Sequence, residues 1–246
     1  MESFDLVNCF AAGGLVYAFE KATLASKLIL FLLLLASSLS WTVIFVKFGQ
    51  LRFARRQTQR FLERLRCGSW DRPYVNRERF PGSPEHAVYA AAFRELLRQA
   101  HLPSLLGGSS PEKLLPDLLM KGPAIKAVQG AIERELGIQA LVLEEQMVLL
   151  ATAASGAPFL GLLGTVWGVM DAFSDIAIVG KASLATMAPG VSGSLICTVT
   201  GLLVAIPALF AYNFLVATIR SHLIRMENFA AELQSELERS FLETGP

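Results

Sequence analysis

Three stretches of this chain run for 19 residues or more without a charged residue: 28–46, 147–170 and 182–219, of 19, 24 and 38 residues. A hydrocarbon core of ~30 Å is crossed by ~20 helical residues, so each run is long enough to span a bilayer. A helix of a soluble core needs one apolar stripe, not an apolar surface all round. The third run would be ~57 Å long as a helix. Two spans with a turn need more, and its middle, Val199-Thr200-Gly201-Leu202, is a poor turn. The pattern therefore predicts one helix that starts near Pro189, where proline suits a first turn, and emerges past Tyr212; a re-entrant pair is the alternative. The first run begins like a signal peptide, with Ala36-Ser37-Ser38 resembling a cleavage site. Yet it continues apolar through Val46, and its arginines follow it instead of preceding it, so an uncleaved span is expected.

Outside these runs the periodicity is helical. The first span should flow into a helix at 50–66. Ser83-Pro84 reads as N-cap and first position of a helix to about Gln99, with a stripe of Val88, Ala91, Ala92 and Leu96. The stretches 68–84 and 101–123 are rich in Pro, Gly and Ser and read as loops. From Ala124, the residues Ile125, Val128, Ile132, Leu136, Leu143 and Met147 recur at helical spacing with no strong breaker before Pro158. This predicts one uninterrupted helix that becomes the second span, bent at Pro158 because the ring crowds the carbonyl of Ala154. After the third span, Ile219, Leu223, Met226, Ala230, Leu233 and Leu237 recur at intervals of three and four, a heptad-like seam that packs on a neighbour. No internal repeat and no strand signal of weight is present. The expected organisation is an N-terminal external segment 1–23, a span 24–46, a cytoplasmic helical segment 47–123, a long helix 124–172 holding the second span, an external loop 173–183, a third span 184–217 and a cytoplasmic helix 218–246.

Charge adds the orientation. Lys47, Arg52, Arg55, Arg56, Arg60, Arg64 and Arg66 follow the first span, and Arg220 and Arg225 follow the third, whereas the segment between the second and third spans holds Lys181 against Asp171 and Asp175. The positive-inside rule then places the N-terminus outside and the C-terminus in the cytoplasm. The same arginines are open to a second reading, as a site for anionic lipid. The formal net charge of +1 gives no sign of a nucleic-acid partner. Cys9, Cys67 and Cys197 fall outside, inside and within the membrane, so no two of them pair within one chain. His86, His101 and His222 lack metal-ligand spacing, and no metal or other cofactor is expected. No phosphate loop, nucleophile elbow or zinc-protease pattern occurs, and no enzymatic activity is expected.

Candidate chemistry lies in the second and third runs. On the helix face of Thr165, at steps of three, four and seven, lie the small or imino residues Pro158, Gly161, Gly168 and Ala172. Around Thr198 lie Ser194, Gly201, Ala205 and Ala208. The other sides carry Leu160, Leu163, Val166, Leu195, Leu202, Leu203 and Leu209. Gly164 and Gly168 also form a GxxxG, and Pro158 and Pro207 are candidate kink or packing positions. Two readings stay open: the small faces only pack, or the hydroxyls line a polar conduit. No ionisable residue stands at mid-depth of either run, so a proton that crosses needs a titrating group from another chain.

The segments APFLGLLGTVWGVMDAF (157–173) and MAPGVSGSLICTVTGLLVAIPALFAYN (187–213) resemble the TolQ/ExbB/MotA proton-channel family. The stretches 25–47, 83–99 and 225–233 are similar to its TolQ branch more than to ExbB. The resemblance implies an all-α membrane protein of three transmembrane helices with long cytoplasmic helical extensions, forming a homopentameric pore in the bacterial inner membrane with a periplasmic N-terminus. It implies a TolR/ExbD-like single-span partner whose Asp carries protons within the pore. It also implies a TolA/TonB-like protein that transmits the energy to the outer membrane. Thr165 and Thr198 match the family's pore threonines, with Ser194, Gly161 and Gly201 beside them. One position departs from the pattern: relatives place Glu in APGxxE, and this chain has Gly193 there. The alternative is a non-conducting membrane scaffold that gathers envelope or division proteins.

Overall fold

A computed structural model of the chain describes residues 24–66, 70, 78–99, 122–179 and 184–243. The expected external segment 1–23, most of the loops 68–84 and 101–123, and Cys9, Cys67 and Lys181 lie outside them. Five helices run in order: α1 (Leu24–Arg66), α2 (Pro84–Gln99), α3 (Gly122–Glu144), α4 (Met147–Val179) and α5 (Leu184–Glu243). Among the described residues there is no strand. Three helical stretches, Leu24–Arg66, Ile125–Ile178 and Gly190–Arg239, are long and apolar enough to cross a membrane. The chain divides into two compact units, one of Met1–Val46 with Gln146–Leu215, the other of Lys47–Glu145 with Val216–Pro246.

The first unit is the apolar one. Within it Ile29 and Leu33 of α1, Ala157 of α4, and Val204 and Ala205 of α5 form a buried cluster with Leu160 packed against it. The remaining surface is lined by exposed large side chains, among them Val166 at 60% and Leu203 at 67% exposure. Such exposure is costly in water and costs nothing in lipid, whose tails are as apolar as leucine.

The second unit is a helical bundle with an aromatic core. Phe61 and Leu65 of α1, Val88, Tyr89, Phe93 and Leu96 of α2, Val128 and Ile132 of α3, and Met226, Phe229 and Leu233 of α5 close on one another. The Phe61 ring meets Tyr89 edge-on at 5.3 Å and Phe229 at 5.7 Å, an arrangement that the ring quadrupoles favour. Ser83 caps α2, its hydroxyl accepting from the N–H of His86 at 3.2 Å. The turn before it has Pro81 and Gly82 at its centre, with Gly82 at φ 77° and the Ser83 N–H donating to the Phe80 carbonyl at 3.2 Å. Proline followed by a positive-φ glycine suits a type II turn. Behind the cap, the buried Thr58 hydroxyl meets Ser83 at 2.9 Å and the carboxylate of buried Glu85.

Two elements differ from expectation. The uninterrupted helix over 124–172 is broken at Glu145-Gln146, where Gln146 has φ 67°. Periodicity was blind to this break, because nothing about glutamine marks a left-handed residue. Helix α4 then runs on to Val179, through the first seven positions of the expected loop 173–183. Helix α5 starts at Leu184, the first position of the expected third span and five residues before Pro189, and continues as one helix to Glu243, as expected. Pro158 stands inside α4 without ending it.

Candidate functional site

Helices α4 and α5 pack through their small residues. A Cβ on Gly201 would stand 2.6 Å from the Ala157 carbonyl oxygen, and one on Gly161 would stand 2.8 Å from the Cys197 carbonyl oxygen. Further along, a Cβ on Gly164 would meet Cys197 Cβ at 2.6 Å, one on Gly168 would meet Ser194 Cβ at 2.5 Å, and one on Gly190 would meet Ala172 Cβ at 3.0 Å. The contacts rise along α4 as they descend along α5, an antiparallel seam. Only glycine admits these approaches. Without a hydrophobic force between helices in lipid, such contact and the hydrogen bonds that it permits supply the adhesion.

At the centre of the seam the backbones come close enough for side chains to cross. Thr165 donates to the Gly161 carbonyl one turn back at 2.9 Å. Thr198, on the other helix, reaches the same carbonyl at 3.1 Å. The two hydroxyls also contact each other. Each hydroxyl has one proton and two lone pairs. With Thr165 donating to Gly161, the Thr198 proton is shared between Gly161 and Thr165, and both lone pairs of Thr198 remain able to accept. Both threonines are half-buried.

Thus Thr165, Thr198, Gly161 and Gly201 are brought together. Ser194 is not part of the pair: it is fully covered against Gly168, and its hydroxyl donates to the Val191 carbonyl at 2.8 Å. Gly164 and Gly168 form the rest of the seam. Pro158 and Pro207 are half-buried, and Gly193 is buried. Sequence reasoning missed the contribution of α1. Cys197 is wholly buried, with Sγ 3.8 Å from the Ser26 carbonyl, and Ile29 and Ser26 lie 3.4 Å from where Cβ atoms of Gly164 and Gly168 would stand. The polar Ser26, 1% exposed and at the edge of an apolar run, was the only signal for this.

A three-span helical membrane protein with a threonine pair in a glycine seam defines a class, and comparison with known proteins agrees. The model of the MotA/TolQ/ExbB proton channel family matches residues 84–228, and the chain belongs to this family. It is 36% identical over 224 residues to the Tol-Pal system protein TolQ of Pseudomonas aeruginosa, covering 89% of this chain and 90% of that one. It is 31% identical over 235 residues to TolQ of Haemophilus influenzae, covering 93% and 95%. Biopolymer transport protein ExbB of Xanthomonas campestris pv. campestris is 43% identical over 108 residues, 44% of this chain and 41% of that one. The protein is a multi-pass inner-membrane subunit of the proton-channel type.

Proposed function

We propose that this chain is the channel subunit of a proton-driven motor of the TolQ–TolR type. Five copies surround a pore, with the N-terminus periplasmic and the C-terminus cytoplasmic. A TolR/ExbD-like single-span partner stands in the pore and supplies the titrating Asp. Movement of the partner is passed to a TolA/TonB-like protein and so to the outer membrane. The observation that carries this reading is the junction of Thr165, Thr198 and the Gly161 carbonyl. A neutral carboxyl on the partner donates to the open lone pairs of Thr198. On losing its proton, the same carboxylate needs a donor, and water or a threonine hydroxyl serves. The chain's own residues hold no charge over 147–170 and 182–219, so they position the proton's path and do not carry the proton themselves. Gly193, at the Glu position of the family pattern, leaves the titrating group to the partner and is equally compatible with the scaffold alternative. Each charge that crosses makes ~2.3 kcal/mol per 100 mV available.

The test is a Thr165→Val, Thr198→Val double variant in cells lacking the native chain. The motor reading expects a normally assembled complex and loss of proton-driven envelope function. The scaffold reading is favoured by one observation, that both hydroxyl protons already have acceptors inside the seam. It expects the double variant, and an Asp→Asn change in the partner, to leave function intact.

A further inference from the structure

Within the second unit, a cavity of about 420 Å³ lies against α1, α2 and α5. Its walls carry three arginines, Arg55 and Arg66 of α1 and Arg225 of α5, against two glutamates, Glu85 and Glu232. None of the three arginines is in an ion pair among the described residues. Arg225 is braced along its own helix: Nε donates to the Ser221 carbonyl at 3.2 Å and Nη2 to the Ser221 hydroxyl at 2.8 Å. A guanidinium has five N–H donors, so most of this fork still points away from Ser221. Glu85 is already engaged, since its buried carboxylate accepts from the Thr58 hydroxyl.

His222 is the residue here that calls for a partner. It is 4% exposed and lines the same cavity, yet its ring makes no hydrogen bond among the described residues. Buried polar groups are paired with few exceptions, and an exception asks for an explanation. Arg225, Glu85 and Arg55 all act on the charge of this ring, so two guanidinium groups and an imidazole surround one space. Arginine forks match the oxygens of phosphates and carboxylates. Donors that converge from two helices suit a phosphate better, because its oxygens point in several directions whereas a carboxylate holds two in one plane. The volume falls within the ~300–1,000 Å³ of small-molecule sites.

We propose that this cavity is a binding site for the phosphate group of a phosphoester, with Arg55 and Arg225 as its charged clamp and His222 as a hydrogen-bonding group at its wall. The inference rests on the second unit alone and does not depend on the motor reading above. The phosphate has two possible sources. Arg225 is five residues past Arg220, the first charge after the third apolar run, ~7.5 Å along a helix and close to the depth of a headgroup layer. A lipid headgroup and a soluble phosphoester share the same chemistry at this site.

The test uses the full-length protein, stripped of lipid in a neutral detergent and kept in a phosphate-free buffer. One arm titrates inorganic phosphate and glycerol 3-phosphate by calorimetry. The other measures phosphatidylglycerol bound to the protein in nanodiscs of phosphatidylcholine doped with it. Saturable binding of one phosphate group per chain is expected in at least one arm. Binding in the first arm alone assigns a soluble ligand, and binding in the second alone assigns the headgroup. Arg55→Gln and Arg225→Gln should each weaken it by about tenfold or more, as loss of a charged hydrogen-bond donor does. Both arginines are exposed, so these variants should fold. The control is Arg52→Gln with Arg56→Gln, two exposed arginines of α1 outside the cavity, which should change binding by no more than about twofold. His222→Gln keeps a hydrogen-bonding group and should weaken binding less than either clamp variant. Absence of saturable binding in both arms overturns the proposal. So does an equal loss in the Arg52→Gln, Arg56→Gln control, which would show diffuse attraction to a basic surface and no site.

Discussion

The Thr198 hydroxyl of α5 lies 3.1 Å from the carbonyl oxygen of Gly161 on α4. A side chain on one transmembrane helix thus bonds the backbone of another, which requires the helix axes to be unusually near. Gly161 makes that possible, since its missing Cβ would collide with the Cys197 carbonyl. The threonine pair and the glycine seam are one feature.

Gly161→Ala and Gly201→Ala should therefore each destabilise the protein. The obstructing atoms are backbone carbonyls, which cannot rotate away, and overpacking of this kind costs ~1–3 kcal/mol. Gly156→Ala is the control, because nothing lies within 4 Å of its Cβ position. Thermal melts in one detergent should place both seam variants below wild type and Gly156→Ala at or slightly above it.

Thr58→Val should weaken the second unit. The hydroxyl bridges Ser83 and the carboxylate of Glu85, which is 2% exposed. An isosteric valine leaves that carboxylate short of a donor, at a cost of ~1–3 kcal/mol. Thr58→Ser keeps the donor and should recover most of the loss in the same denaturation assay.

Acid should destabilise the protein through His222 and His86. His222, 4% exposed, is held below the usual histidine range first by burial and then by Arg225, with Arg55 adding and Glu85 opposing. Burial also lowers His86, opposed by a hydrogen bond with the Glu78 backbone. A base whose pKa is depressed by folding binds its proton more readily when unfolded. Its stabilising contribution is full above the ordinary histidine value of ~6.5 and is lost as pH falls through the lowered one. Melting temperature should drop between neutral pH and pH ~5, and His222→Leu should flatten the slope.

Tyr89→Phe should be mild. The phenol donates to the Trp70 carbonyl at 2.6 Å, while the ring stays in the aromatic core beside Phe61 and Phe93. Loss of one hydrogen bond with packing kept is worth ~1 kcal/mol. A Tyr89→Ala variant, which empties the ring site, should cost several times more on the same denaturation curve.

Much of this protein is legible along the chain. Charge-free runs of sufficient length define membrane helices regardless of tertiary context, because lipid accepts an apolar helix on every face. Ser83-Pro84 marked the start of α2 because capping is a local hydrogen bond. The small residues around Thr165 and Thr198 marked two faces able to approach, since helical periodicity alone puts them on one side. Distance along a chain does not carry the rest. Ser194 reads like the threonines, yet the register of α4 against α5 presses it onto Gly168, while Thr198 meets Thr165. The break at Gln146 has no local signature, because the carbonyls of Val142 and Leu143 before it are satisfied by Lys47, nearly a hundred residues away. Local pattern is enough to select the segments that enter the membrane and the faces that are small. Which hydroxyls meet and where a helix is cut follow from packing, because both depend on donors and acceptors contributed by another helix.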